Sequence, residues 1–191
     1  MTSAAPLILG LGGTTRPGSS TELALSAALS AAEGLGARTR LVGGAFLSEL
    51  PIYDPRPGGP TARQAELADL VRGADGLILA TPGYHGSLSG VMKNALDTLE
   101  LLREDSRPYF SERAVGVIVT AAGPQAAGTT LTAVRSIVHA LRGWPTPYGA
   151  AMSVTSASFG PDGRPVEAHD AWQLDTVAAQ VVQFARMRLT S

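Results

Sequence analysis

Three short stretches carry residue types able to do chemistry, and each follows an apolar run. The first is Gly12-Gly13-Thr14-Thr15-Arg16-Pro17-Gly18-Ser19-Ser20-Thr21, between PLILGLG (6–12) and an Ala-rich segment. Thr15, Ser19, Ser20 and Thr21 supply hydroxyls and Arg16 a fixed positive charge. A helix N-terminus offers free N–H groups and the positive end of a dipole, so this composition suits an anion. Plain N-capping needs one hydroxyl and leaves Arg16 without a task. Phosphate is therefore the expected occupant. Two phosphate fingerprints fail at a residue their chemistry requires. Ser19 stands where a Walker A loop needs Lys, and Thr15 stands at the third glycine of G-x-G-x-x-G. The second apolar run also ends in Gly43-Gly44, with no acid for a ribose. A monophosphate cradled by hydroxyls and amides remains, with Arg16 adding a charge-assisted contact.

The second stretch is TPGYHGSLSGVMKNALD, Thr81 to Asp97. Pro82, Gly83, Tyr84, His85 and Gly86 are poor core material. Glycines let backbone N–H groups approach a flat ring, and Tyr84 offers an aromatic body with a polar tip. An isolated Tyr-His pair reads as loop surface; here it follows a buried run and becomes a candidate ring contact. Lys93 and Asn94 read as the polar face of the next helix. The third stretch, AAGPQAAG (121–128), forms a further wall of small residues. Three such loops beside one phosphate site suit a planar heterocycle with a phosphate tail, which is the shape of riboflavin monophosphate, FMN.

The elements that must bring these loops together follow from periodicity. Strands are expected at 6–12, 38–44, 75–81, 113–123 and 148–158, and helices at 19–36, 61–74, 87–102, 129–143 and 168–187. Strict alternation of strand and helix predicts a parallel sheet with helices on both faces. Five strands in this length favour a single flavodoxin-like α/β domain over residues 1–191, with strand order 2-1-3-4-5. Ligands then sit beyond the carboxyl ends of the strands. Two stretches read as irregular, 44–60 and 103–112. Pro108, Tyr109 and Phe110 suit a cover over the site or an oligomer interface. Trp144 reads as packing and GPDGRP (160–165) as a tight turn.

Bulk composition narrows the classes. The 191 residues are 45% hydrophobic and 16% charged with a formal net charge of −1, which fits a globular chain and gives no sign of a nucleic-acid or acidic-membrane partner. The absence of cysteine excludes disulfides, thiolate metal sites and a Cys nucleophile. The start, MTSAAPLILGLGG, lacks a basic segment and has too short an apolar run for a signal peptide. No stretch reaches the length of a membrane span. These features predict a soluble, cytoplasmic protein.

The first loop resembles the G-S-x-R-x-G-S-x-N phosphate loop of NAD(P)H-dependent FMN reductases. TPGYHGSLSGVMKNALD is similar to their T-P-E-Y-(N/H)-G-S-x-x-G-x-L-K-N-A-(I/L)-D segment, and LPIYDP (50–55) to their L-P-x-Y-(D/N) loop. The resemblance spans about residues 7–123. It implies a flavodoxin-like fold, FMN as cofactor, NAD(P)H as co-substrate, and a homodimer or homotetramer with its interface near the flavin. It assigns Arg16, Ser19 and Thr21 to phosphate, with Ser20 among the loop hydroxyls. Pro82, Gly83, Tyr84, His85 and Gly86 go to the ring, and Gly123 to the small-residue wall. Three residues depart from the pattern. Thr14 replaces Ser, and Thr21 replaces Asn, keeping a hydroxyl. Gly83 replaces Glu, which removes a charge at the flavin edge and opens room there.

The resemblance implies that hydride passes from NAD(P)H to the flavin. Reduced flavin then either leaves to feed a monooxygenase or reduces a bound quinone, azo dye or metal oxyanion. No side-chain acid or base is required for hydride transfer, so no catalytic residue is assigned. A flavodoxin-type electron carrier is the first rival; such carriers are usually strongly acidic, unlike this chain. A hydrolase is the second. G-x-S-x-G is absent, since Leu88 stands at the nucleophile position. H-E-x-x-H is absent too, and His139 reads as structural. No metal site is expected.

Overall fold

The runs GLILATP and AVGVIVTA are buried at every position, as strands covered on both faces must be. They form the centre of the computed structural model, which describes residues 5–56 and 58–190. In chain order the elements are β1 (Leu7–Gly12), α1 (Ser20–Gly34), β2 (Arg38–Val42), α2 (Gly44–Leu47), α3 (Ala62–Gly73), β3 (Gly76–Pro82) and α4 (Gly90–Thr98). A 3-10 turn, Leu99–Leu102, leads on to β4 (Ala114–Ala121), α5 (Pro124–Ala140), β5 (Trp144–Pro145), β6 (Ala150–Ser153) and α6 (Ala168–Leu189). The strands make one parallel sheet in the order β2-β1-β3-β4-β5, with β6 also paired to β4. The expected order 2-1-3-4-5 is the observed one.

Each face of the sheet has its own core. Leu9, Leu11, Leu77, Leu79, Val117 and Val119 pack against the buried sides of α3, α4 and α5. Ile8, Ile78, Ala80 and Ile118 pack against α1 and α6. Each fully buried aliphatic side chain contributes about 1.5–3 kcal/mol through water exclusion. On the second face Gly10, Ile78 and Gly116 stand in one row across β1, β3 and β4. A Cβ on Gly10 would lie 2.7 Å from Leu29 Cδ1, and one on Gly116 2.5 Å from Val177 Cγ1. The two glycines let α1 and α6 close on the sheet on either side of Ile78.

Local signals start the helices. Ser19 caps α1, accepting from the Glu22 amide. Thr61 and Gln64 form a reciprocal capping box on α3. Ser89 caps α4.

Three expectations need correction. The helix after β4 begins at Pro124 rather than 129, because Pro at the first helical position is preset for the helix and loses no needed N–H. The stretch 124–128 is therefore its first turn and not a free wall. The last strand, expected over 148–158, forms only at Ala150–Ser153 as β6, and a short β5 precedes it at Trp144–Pro145; the Thr146 amide still follows β4 through Val115 O at 3.1 Å while the Tyr148 amide turns aside to Gln180 Oε1 at 2.9 Å. The segment 103–112 leads into the amino end of β4, opposite the ligand-binding edge. Phe110 and Tyr109 are buried in the core there, so neither covers the site.

That amino end holds a buried cation. Arg113 is 1% exposed and donates to Ala74 O at 2.9 Å, Tyr109 O at 2.9 Å, Arg72 O at 3.0 Å and Ser111 O at 3.4 Å. Two of these acceptors end α3, where the dipole favours a cation. Burial still lowers its pKa to about 10. Trp144 is more than half exposed and lies against Phe184, with ring centroids 5.1 Å apart. The turn at 160–165 forms as expected, with the Gly160 amide on Arg164 O at 2.8 Å.

Candidate functional site

The parallel sheet places the ends of β1, β3 and β4 side by side, and their loops meet there. The Gly13 amide continues the β1–β3 pairing onto Ala80 O at 2.8 Å, and the Gly83 amide continues β3–β4 onto Thr120 O at 2.8 Å. Ser89 ties the first two loops together. Its hydroxyl caps Met92 N at 3.2 Å and donates to Gly13 O at 2.6 Å, while its amide donates to Thr81 Oγ1 at 3.0 Å. Sequence reasoning passed over Ser89, which sits inside the quoted motif but reads as a mere cap.

The first loop leaves β1 at Gly13 and reaches α1 at Ser20. Thr14 is buried and accepts from the Arg16 amide at 3.4 Å. Arg16 is exposed, and its guanidinium makes no ion pair among the described residues. Ser19 is 4% exposed and Ser20 half-buried at the first helical position. Thr21 has another partner: it is turned inward, and its hydroxyl shares a 2.6 Å bond with Thr120 Oγ1 on β4. The loop rests on the start of α2. A Cβ on Gly44 would fall 1.6 Å from Thr14 O, so only glycine allows this approach. A cavity of about 340 Å³ opens between the two segments, bounded by Thr14, Thr15, Glu22, Arg40, Gly43 and Phe46.

The second loop is a tight turn. Tyr84 and Ser87 exchange backbone bonds at 2.9 and 3.0 Å, and the two residues between, His85 and Gly86, have φ of 54° and 82°. Two left-handed residues at the centre make a type I′ turn. Gly86 adopts this freely, whereas His85 does so at a cost. Pro82 ends β3 and is buried; Tyr84 and His85 are exposed. Gly83 does not open the room expected of it. A Cβ there would lie 3.0 Å from Thr130 Oγ1 and 3.3 Å from Ala121 Cβ and Ala126 O, so α5 occupies that space. Thr130 Oγ1 is itself buried without a hydrogen bond among the described residues.

The third loop is short. Gly123 precedes α5 with an extended φ of −152°, and no side chain caps the helix. A Cβ there would meet nothing within 4 Å. Neither backbone conformation nor packing within the chain requires glycine here. The small residues fit FMN in two respects: a flat ring can approach Gly123, and uncharged donors surround the Arg16 loop for a phosphate.

Asn94, expected to be solvated, instead holds the 50–55 loop. It accepts from the Tyr53 amide at 2.8 Å and donates to Pro51 O at 3.0 Å and Leu50 O at 3.4 Å. Lys93 is the surface residue expected, paired with Asp97 at 2.7 Å. A larger groove, about 790 Å³, lies between α1 and α6 beneath the 160–165 turn. It is lined by α1, the loop after β6 and the start of α6 and borders none of the three loops above, so the smaller crevice beside the β1 loop is the better candidate. Among the described residues no group of three or more His, Cys, Asp or Glu gathers at metal-binding distance, and no helix is long and apolar enough to cross a membrane.

Comparison with known proteins agrees with this fold. The FMN-dependent NADPH-azoreductase of Staphylococcus aureus is 37% identical over 98 residues, covering 51% of this chain and 48% of the relative. The match thus spans about half the length of the curated relative. Among solved structures, RosB with bound 8-demethyl-8-formylriboflavin-5'-phosphate aligns with a TM-score of 0.79 at 21% identity, over 98% of this chain and 81% of that one. FerB, a flavoenzyme NAD(P)H:(acceptor) oxidoreductase from Paracoccus denitrificans, aligns with a TM-score of 0.76 at 19% identity, over 96% and 98%. At these identities the likeness is one of fold. The sequence profile of NADPH-dependent FMN reductases matches residues 6–157, which includes all three strand-end loops, and the chain belongs to that family.

Proposed function

We propose that the protein is an NAD(P)H-dependent FMN reductase. The observation that carries this reading is the bond from Ser89 Oγ to Gly13 O at 2.6 Å, which fixes the anion-binding loop against the turn that carries Tyr84 and His85. Arg16, Ser19 and Ser20 hold the phosphate with side chains, and Thr21 contributes its amide, since its hydroxyl is engaged by Thr120. Pro82, Gly83, Tyr84, His85 and Gly86 line one edge of the ring and Gly123 another. Bound FMN supplies the two-electron redox chemistry between NAD(P)H and an acceptor. The chain's own residues bind, orient and leave one ring face open to the nicotinamide. No side chain is assigned a proton.

The reduced product either leaves to serve a flavin-dependent monooxygenase or acts on a bound acceptor. The azoreductase relative favours an azo compound among acceptors. A cytoplasmic homodimer or homotetramer is the expected form. A pure electron carrier fits less well, because a formal charge of −1 gives little field to dock a basic partner. Purified protein given FMN and either NADPH or NADH should oxidise the nicotinamide catalytically. Absence of turnover with both would refute the reading.

A further inference from the structure

The anion loop already holds an anion of its own. The Gly18 amide donates to Glu22 Oε2 at 2.8 Å, and the Glu22 amide donates to Ser19 Oγ at 3.3 Å. Ser-x-x-Glu spacing is that of a capping box, in which Glu would take the N-cap amide. Here it takes the amide one residue earlier, inside the phosphate loop. Gly18 has φ +65° and a Cβ there would meet nothing within 4 Å, so its left-handed backbone, and not packing, requires glycine. The turn directs the amide to the start of α1, where a phosphate would need it. Glu22 makes no ion pair among the described residues. Arg40 borders the same cavity without pairing to it.

Resting on the phosphate-loop reading, we propose that Glu22 competes internally with the FMN phosphate. The carboxylate satisfies the free loop and is favoured by the helix dipole. A phosphate dianion cannot share the Gly18 amide with it without like-charge repulsion, so binding requires the Glu22 side chain to swing out. Glu22 therefore weakens phosphate capture specifically and speeds FMN exchange.

The test is a set of flavin-fluorescence titrations with FMN and with riboflavin, which lacks the phosphate. Wild type, Glu22→Gln, Glu22→Ala and Arg16→Ala are compared, with melting midpoints to confirm folding. Both Glu22 variants should bind FMN about two- to fivefold more tightly, the size expected for removing one partly exposed like charge, and riboflavin as wild type does. A residue that served only as a cap would lower the midpoint and leave FMN affinity equal or weaker. That result, with Arg16→Ala losing FMN affinity, overturns this proposal alone. If Arg16→Ala also leaves FMN affinity unchanged, the phosphate-loop reading falls and the proposal with it.

Discussion

The Tyr53 amide donates to Asn94 Oδ1 at 2.8 Å across 41 residues of sequence, so α4 dictates the path of the loop after α2. One side-chain amide satisfies three backbone groups of Leu50–Tyr53. Asn94→Ala leaves those groups to water and frees the loop, which carries the exposed Ile52. It should cost about 1–2 kcal/mol in denaturant unfolding and speed hydrogen exchange at Tyr53.

The Gly44–Thr14 contact gives a second prediction. Gly44→Ala puts a Cβ 1.6 Å from Thr14 O, and backbone must move. Overpacking of this kind costs about 1–3 kcal/mol, and the displaced segment is the phosphate loop. FMN affinity should fall by roughly a factor of ten, the effect of about 1.4 kcal/mol, in a titration of folded variant.

Ser89→Ala removes a helix cap and the bond to Gly13 O together. Loss of the cap alone costs about 1 kcal/mol, and the orphaned Gly13 carbonyl adds to it. Melting temperature and FMN affinity should both fall, and Ser89→Thr should restore part of each.

Arg113 supports the opposite end of the sheet. Arg113→Met removes the donor to four backbone carbonyls and should cost about 2–4 kcal/mol. Burial lowers its pKa to about 10, below the ordinary guanidinium value, so the unfolded chain binds the proton more tightly. The penalty is complete below about pH 10 and is relieved as pH rises above it. The stability gap between wild type and Arg113→Met should therefore widen over that rise. FMN binding at neutral pH should be unaffected in the folded variant, because the site lies at the other edge.

How much of this was legible in the sequence depended on distance along the chain. β3, β4 and the strand order follow from local apolar runs and from alternation. The chemistry-bearing loops follow from residue type at strand ends. Asn94 was missed because a polar residue on a helix looks solvated until a loop 41 residues away packs on it. Thr21 reads as a loop hydroxyl, and only the fold sets it against Thr120, 99 residues on. The burial of Tyr109 and Phe110 likewise depends on where β4 begins in space. The start of α5 is different: Gly123-Pro124 is a local helix signal, masked by the small residues around it.

The central claim is that one FMN phosphate sits in the Arg16–Thr21 loop with its ring beside Tyr84 and Gly123. A crystal structure of the protein soaked with FMN tests it most directly. The account predicts phosphate density within hydrogen-bond reach of Arg16 and Ser19, and the ring over the Tyr84–Ser87 turn. Flavin bound in the groove between α1 and α6, or strand-end loops empty at saturating FMN, would contradict it.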